Sequence, residues 1–335
     1  MDKPRLALIG CGKISEFHAP ACREAGFELA AVCSRPGSTR LDSFAQRHDI
    51  PLVFDHVEAL LEAREKWDAL LIAISVEATL DVLTLALESG APILVEKPVA
   101  LRSAELLPII NRGLPVIVGY NRRFYRTTQE ARLDVATTSP VMAHLSIPES
   151  IKTPHRTEEN PGYLRPFFAN SVHGLDLARY VFGELSVQFV QHIRNPSGAI
   201  LGLAATLSAA TQSAEGGSVV QLTANWGTPA NFSLTLDRPG RRLELRPFES
   251  ATVYEGMEVR EPTEETPIRR YDPIPVARVD LDEVDRRFKP GFVAQGKALA
   301  SLVRGEDTGP AARLEDAYAV LQLAEQLINY PSQAS

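Results

Sequence analysis

The chain is poor in several features that would place it in a special class. Of its 335 residues only three are cysteine, Cys11, Cys22 and Cys33, all near the start. An odd, clustered set cannot build a disulfide framework, and free thiols suit a reducing compartment. No apolar run approaches the ~20 residues that a membrane-spanning helix needs. Only MDKPR precedes the first strand-like run, so neither a signal peptide nor membrane association is expected, and the cytoplasm is the expected location. Positive charge is also short: 35 Lys and Arg against 42 Asp and Glu give a net charge of −7. Nucleic acid, which demands a basic face, is not an expected partner. Small anions stay open, because one local cluster of Arg and Lys can bind them. Internal repeats and low-complexity segments are missing too.

What is present reads as α/β. The length suits two domains, and the pattern divides near residue 121. Before it, short apolar runs alternate with helical stretches: RLALIG, FELAAVC, PLVF, WDALLIAIS, APILVE and PVIVGY as strands, with helices over Lys13–Ala25, Ser38–His48, HVEALLEAR and Thr79–Ser89. Unbroken apolar strands separated by helices predict a doubly wound parallel sheet over 1–121. Residues 122–335 change character. VMAHLSI, SVQFVQHI, ILGLAATLSAAT, SVVQLTANW, FSLTLD and RRLELRPF are strand-like, and DRPG reads as a hairpin turn. Phe232, Leu234 and Leu236 alternate with Ser233 and Thr235, which predicts an α+β domain with a largely antiparallel, open sheet. Helices are expected at Ser171–Val181 and Leu314–Ile328, and EPTEETPIRRYDPIP as a loop.

GCGKIS follows the first strand and opens a helix. Gly10 and Gly12 permit a tight turn and close backbone approach to a pyrophosphate; Lys13, Ile14 and Ser15 lead into a helix N-terminus that offers amide donors. These residues are expected to hold a dinucleotide. An NAD site usually carries an acidic residue at the end of the second strand. Here Ser34 and Arg35 stand there, with Arg40 nearby, and a hydroxyl and guanidinium suit a 2′-phosphate. NADP is therefore the expected cofactor, with NAD the alternative.

PILVEKPVAL closes an apolar run with Glu96 and Lys97 and then Pro98, either a solvated turn or an active-site lysine on a rigid turn. Ligands of doubly wound sheets sit beyond the carboxyl ends of the strands, which favours the second. The glycine turn, VEKP, the later VGYNRRF and VHGLDLARYVFG together resemble the glucose–fructose oxidoreductase, inositol dehydrogenase and MocA (Gfo/Idh/MocA) family over nearly the whole chain. The resemblance implies a Rossmann domain with a mixed α/β substrate domain and hydride transfer on sugars or polyols. It further implies a cis bond into Pro98, and homo-oligomers, dimers or tetramers, paired through the second sheet. Lys97 resembles the family's catalytic lysine, and His173 the histidine of its H-x-x-D segment, completed by Asp176. One basic group takes a hydroxyl proton as hydride leaves the same carbon. His173, which titrates near neutrality, is the expected base, and Lys97 polarises the oxygen or takes that proton itself.

The chain departs from the family pattern at three points. Ala169 stands where the family has an aspartate, Thr79 where it has a histidine and Ser75 where it has a proline. Ser75, Glu96 and Lys97 are expected near the cofactor. Asn121, Arg123, Tyr163, Asn170, His173 and Lys97 are expected near the substrate, with Arg122, Lys152, His155, Arg156 and Arg165 as further candidates. Such cations suit a carboxylate- or phosphate-bearing sugar, or pair with Glu158 and Glu159. His18 reads as structural. Two other readings stand beside a sugar dehydrogenase: a member that uses transient oxidation for epimerisation or glycoside cleavage, and a degenerate member that senses dinucleotide or sugar for a partner protein.

Overall fold

Runs of Val, Ile, Leu and Ala without polar alternation become strands covered on both faces. The computed structural model describes residues 3–110, 112–138, 140–149, 167–196, 198, 200–209, 217–226 and 228–331. The first segment runs β1 (Arg5–Ile9), α1 (Ser15–Glu24), β2 (Glu28–Cys33), α2 (Leu41–Arg47), β3 (Leu52–Phe54), α3 (Val57–Glu62), β4 (Ala69–Ile72), α4 (Val76–Leu87), β5 (Ile93–Val95) and β6 (Val116–Val118). The six strands lie in the order β3-β2-β1-β4-β5-β6, every neighbouring pair parallel. Every residue of β4 and β5 is buried. Leu6, Leu8, Val32, Leu71, Leu94 and Ile117 share one core with Ala19 and Cys22 of α1 and with Leu299. Each such Leu, Ile or Val contributes roughly 1.5–3 kcal/mol on burial. The strand order reverses between β1 and β4, so the ligand crevice of this sheet lies beyond their carboxyl ends. Helix α4 begins three residues ahead of its expected start, because the extended residue that leads into it is Ser75 (φ −66, ψ 144).

The second sheet is built from α5 (Arg126–Thr138), β7 (Met142–Glu149), α6 (Val172–Phe182), β8 (Leu185–Arg194), β9 (Ile200–Ala209), β10 (Ser218–Trp226), β11 (Ser233–Arg238), β12 (Arg241–Leu245), β13 (Ala251–Arg260) and β14 (Arg270–Val279). A single π-helical turn, Phe167–Ser171, leads directly into α6. Its eight strands are ordered β14-β13-β12-β11-β7-β10-β9-β8. All neighbours are antiparallel except β7 and β10. Leu234 and Leu236 are buried while Ser233 and Thr235 are half-exposed, as the alternation predicts. DRPG is the β11–β12 hairpin turn, with Gly240 at φ +75.

One expectation is corrected here. The Pro- and charge-rich stretch is a loop only as far as 269; from Arg270 it is β14, paired with β13. Pro273 and Pro275 are two residues apart, so the missing N–H groups fall on one side of the strand. An edge strand tolerates that on its open side, and β14 ends the sheet. Its partner β13 is exposed throughout Glu255–Arg260, so it lacks the alternation that marks a half-buried strand.

Three helices follow: α7 (Glu283–Arg287), α8 (Phe292–Val303) and α9 (Leu314–Ile328). Asp282 caps α7 by accepting from the Asp285 amide. Leu314, Ala317, Leu321, Ala324 and Ile328 of α9 are all buried, the single apolar face its spacing predicts. Two compact units interleave along the chain rather than meeting at one cut near residue 121. The first holds Met1–Phe124, Phe167–Asp176 and Asp282–Glu325; the second holds Tyr125–Pro166, Leu177–Leu281 and Gln326–Ser335. Among the described residues no helix is long and apolar enough to cross a membrane.

Candidate active site

The expected dinucleotide turn sits at the carboxyl end of β1. Gly10 has φ +112, and a Cβ there would stand 2.2 Å from the Ala73 carbonyl oxygen. Backbone angle and space therefore each demand glycine. Nothing lies within 4 Å of where a Gly12 Cβ would point, so the turn is open on that side. The amides of Gly12, Lys13 and Ile14 donate to no backbone carbonyl among the described residues, and α1 has no side-chain cap. Open space over glycine, with free amides at a helix N-terminus, fits a pyrophosphate.

At the neighbouring strand end the Ser34 amide is fixed by the Phe54 carbonyl at 3.1 Å. Arg35 and Arg40 are exposed, and neither makes an ion pair among the described residues. No carboxylate occurs from Ser34 through Leu41. Ser75 is exposed at the start of α4. The buried Thr79 turns its hydroxyl back to the Ser75 carbonyl at 3.0 Å.

Glu96 and Lys97 stand at the end of β5, with the Glu96 amide on the Ile72 carbonyl of β4. The Lys97–Pro98 bond is cis. One Glu96 oxygen takes a 2.7 Å bond from His18 Nε2, the other a 3.1 Å bond from the Lys97 amide. Burial alone would raise the Glu96 carboxyl, but the His18 bond and the charge of Lys97 outweigh it and hold it below the usual range. Gly119 makes room for this carboxylate: a Cβ there would come within 3.0 Å of it. His18 is fully buried and stacks on Phe292, ring centroids 4.2 Å apart.

Lys97 Nζ donates to the carbonyl of Ala169 at 3.1 Å, on the π-turn that leads into α6. One turn on, His173 is buried against the edge of Tyr120, with ring centroids 6.1 Å apart at 80°. Burial first, then the charges of Lys97, Arg122 and Lys289, push its pKa well below the ordinary 6.5. That corrects the expectation of titration near neutrality: His173 is a neutral imidazole at pH 7.

Not every expected residue joins this group. Arg123 is buried and grips Asp176 through Nε at 3.0 Å and Nη2 at 2.6 Å; Nη2 also meets Asp316 at 3.0 Å. Asn121 donates to the Pro290 carbonyl at 2.8 Å. Asn170 lies half-exposed on the π-turn. Tyr163, with Lys152, His155, Arg156 and Arg165, lies outside the described residues.

Residues 4–112 match the model of the Gfo/Idh/MocA oxidoreductase family, NAD-binding Rossmann fold. Through this segment the chain is similar to that family. A comparison with curated proteins gives no match. Solved structures share the whole fold at low identity. An oxidoreductase from Agrobacterium radiobacter, in complex with NAD+, L-tartaric acid and magnesium, is 17% identical with a TM-score of 0.72, covering 97% of this chain and 95% of that one. The UDP-N-acetylglucosamine 3-dehydrogenase of Acidithiobacillus ferrooxidans is 18% identical with a TM-score of 0.71, covering 98% and 97%. A dehydrogenase from Chromobacterium violaceum is 19% identical with a TM-score of 0.74, covering 98% and 95%.

Three features of this site were not legible beforehand. His18 bonds Glu96 across 78 positions; a lone histidine in a helix carries no signal of that. Tyr120 packs on His173, yet in sequence it is only the end of an apolar run. The charge of Lys289, in the turn before α8, is felt by His173, and nothing in its local pattern marks it.

Proposed function

We propose that this oxidoreductase transfers a hydride between a nicotinamide cofactor, NADP in preference to NAD, and a hydroxyl-bearing carbon of a sugar or sugar derivative. The observation that carries this reading is a buried, neutral His173 at the start of α6, one turn after the Ala169 carbonyl that anchors Lys97. The amides of Gly12, Lys13 and Ile14 would hold the pyrophosphate. Ser34, Arg35 and Arg40 would hold a 2′-phosphate, with Ser75 and Glu96 nearer the nicotinamide end. When bound, that group supplies the hydride acceptor or donor.

Lys97 donates a hydrogen bond to the reacting oxygen and stabilises the charge that develops there. His173, being neutral, accepts the hydroxyl proton as the hydride leaves carbon; in reduction it returns that proton. Asn170, on the π-turn before it, orients the sugar, and Tyr163 is expected to join it. Arg123 holds the helix that carries His173 by clamping Asp176. The cytoplasm is the expected location. Subunits are expected to associate as dimers or tetramers, a reading supported by the exposed apolar residues Met257, Val259, Tyr271 and Val276 of β13 and β14.

The test is a fluorescence titration with NADPH and, separately, NADH, on wild type and Lys97→Ala. Tight NADPH and weak NADH binding is expected, retained in the variant while turnover of sugars falls by ~10²-fold or more. Binding of neither nucleotide by protein that carries none through purification would defeat the reading.

A further inference from the structure

The main chain leaves the first sheet between Glu96 and Lys97. Up to Glu96 the neighbouring strands hold it: the Glu96 amide donates to the Ile72 carbonyl and the Gly119 amide to the Val95 carbonyl, each at 2.8 Å. The Lys97 amide donates instead to a side chain, Glu96 Oε2, at 3.1 Å. The other oxygen of that carboxylate, Oε1, is bonded to His18 Nε2 at 2.7 Å. A carboxylate only accepts, so His18 supplies the hydrogen of this bond. One oxygen therefore serves the main chain of Lys97 and the other serves His18.

His18 has little freedom of its own. Its ring is fully buried and lies against Phe292, with centroids 4.2 Å apart and planes at 22°. Phe292 opens α8, and α8 lies this close to α1 because position 296 is glycine: a Cβ there would stand 2.7 Å from the Ala25 Cβ. Among the described residues Nδ1 of His18 has no partner, so the bond to Glu96 is the one polar tie of the ring. A histidine kept only to fill space could be replaced by an apolar side chain and would aim no donor at a carboxylate. Burying a carboxylate costs several kcal/mol unless its oxygens are bonded, and here both are.

We infer that His18 is a positioning residue for Lys97: through the Glu96 carboxylate it fixes the peptide from which the lysine side chain sets out towards the Ala169 carbonyl, 3.1 Å from its ammonium. The lysine is thus held at both ends, by its amide and by its ammonium. The bearing of this on hydride transfer rests on the oxidoreductase reading above; the hold of His18 on Lys97 does not.

The test compares His18→Met with His18→Gln in the full chain. Both replacements give up the ring and have similar length, but only glutamine brings back an N–H for Glu96. Trace acetylation with acetic anhydride, read by peptide mass spectrometry, measures the reactivity of Lys97 against that of Lys66, which is exposed in the turn after α3. In His18→Met the Lys97 to Lys66 ratio should rise about tenfold over wild type, as loss of one bond to a charged group allows. His18→Gln should keep most of the wild-type ratio. Equal ratios in the two variants, or no rise in His18→Met, would overturn the inference. A faster reaction shared by Lys66, with a lowered urea midpoint, would overturn it too, by marking His18 as packing alone. If His18→Met does not fold, Glu96→Met removes both acceptors and decides: the ratio should again rise about tenfold, and an unchanged ratio would sink the inference. Failure of the wild type to bind NADPH or NADH would instead defeat the oxidoreductase reading and leave the labelling ratios standing.

Discussion

In the proposed mechanism a single histidine sets the acid–base behaviour of this site. Burial and three cations keep His173 neutral, so its folded pKa lies below the 6.5 of the exposed group. Turnover in the oxidation direction should therefore stay flat from pH 8 down to about 6.5 and fall only at lower pH, where the imidazole takes a proton. Reduction, which needs the protonated ring, should gain rate over that same acid range. A pH profile in both directions checks this, and an oxidation rate already falling at pH 7.5 would contradict it. Stability carries the same sign: the unfolded chain binds the proton more readily, so stability is complete above pH 6.5 and declines as pH drops below it. Arg35 belongs to the same scale. Arg35→Ala should weaken NADPH binding about tenfold and leave NADH binding nearly unchanged, since only NADPH presents the 2′-phosphate; equal losses for both nucleotides would remove its assigned role.

Between elements, the Arg123 clamp decides how firmly the start of α6 is held. One guanidinium, almost fully buried, joins the turn after β6 to Asp176 on α6 and Asp316 on α9. Those two carboxylates hold its pKa above the ordinary arginine value despite burial. Arg123→Met leaves Asp176 buried without its partner, a loss of about 3–5 kcal/mol. The urea midpoint should drop accordingly, while a variant of wild-type stability would show the pair to be dispensable. Legibility also varies by element. The six parallel strands could be read because burial on both faces leaves unbroken apolar runs, and the glycine turn because Gly10 meets two strict steric demands at once. The β13–β14 hairpin could not: Pro273 and Pro275 look like breakers until the strand is known to be an edge, and Glu255–Arg260 carries no apolar alternation. The interleaving of the two units was hidden for a similar reason. Nothing local to 167–176 or 282–325 says which sheet those residues join.

At the scale of the whole molecule, exposed apolar side chains among the described residues include four on the distal part of the second sheet. Met257, Val259, Tyr271 and Val276 are each about half exposed, whereas a monomer seldom leaves such residues together in water. Val259→Asp combined with Tyr271→Asp should shift the sedimentation coefficient towards that of a monomer, with little change in nucleotide binding. An unaltered sedimentation profile from an associating wild type would place the interface elsewhere. The candidate site was legible only as separate motifs, VEKP, NRR and HGLD, whose convergence depends on where the chain re-enters its first unit.

The acceptor that anchors Lys97 is a main-chain oxygen. A side-chain anchor ties the position of the lysine to one residue type, so any change there costs the catalyst. A carbonyl is supplied by whatever amino acid occupies position 169. The lysine can thus stay in register while that side chain varies, so position 169 can change from one residue type to another without releasing its hold on Lys97.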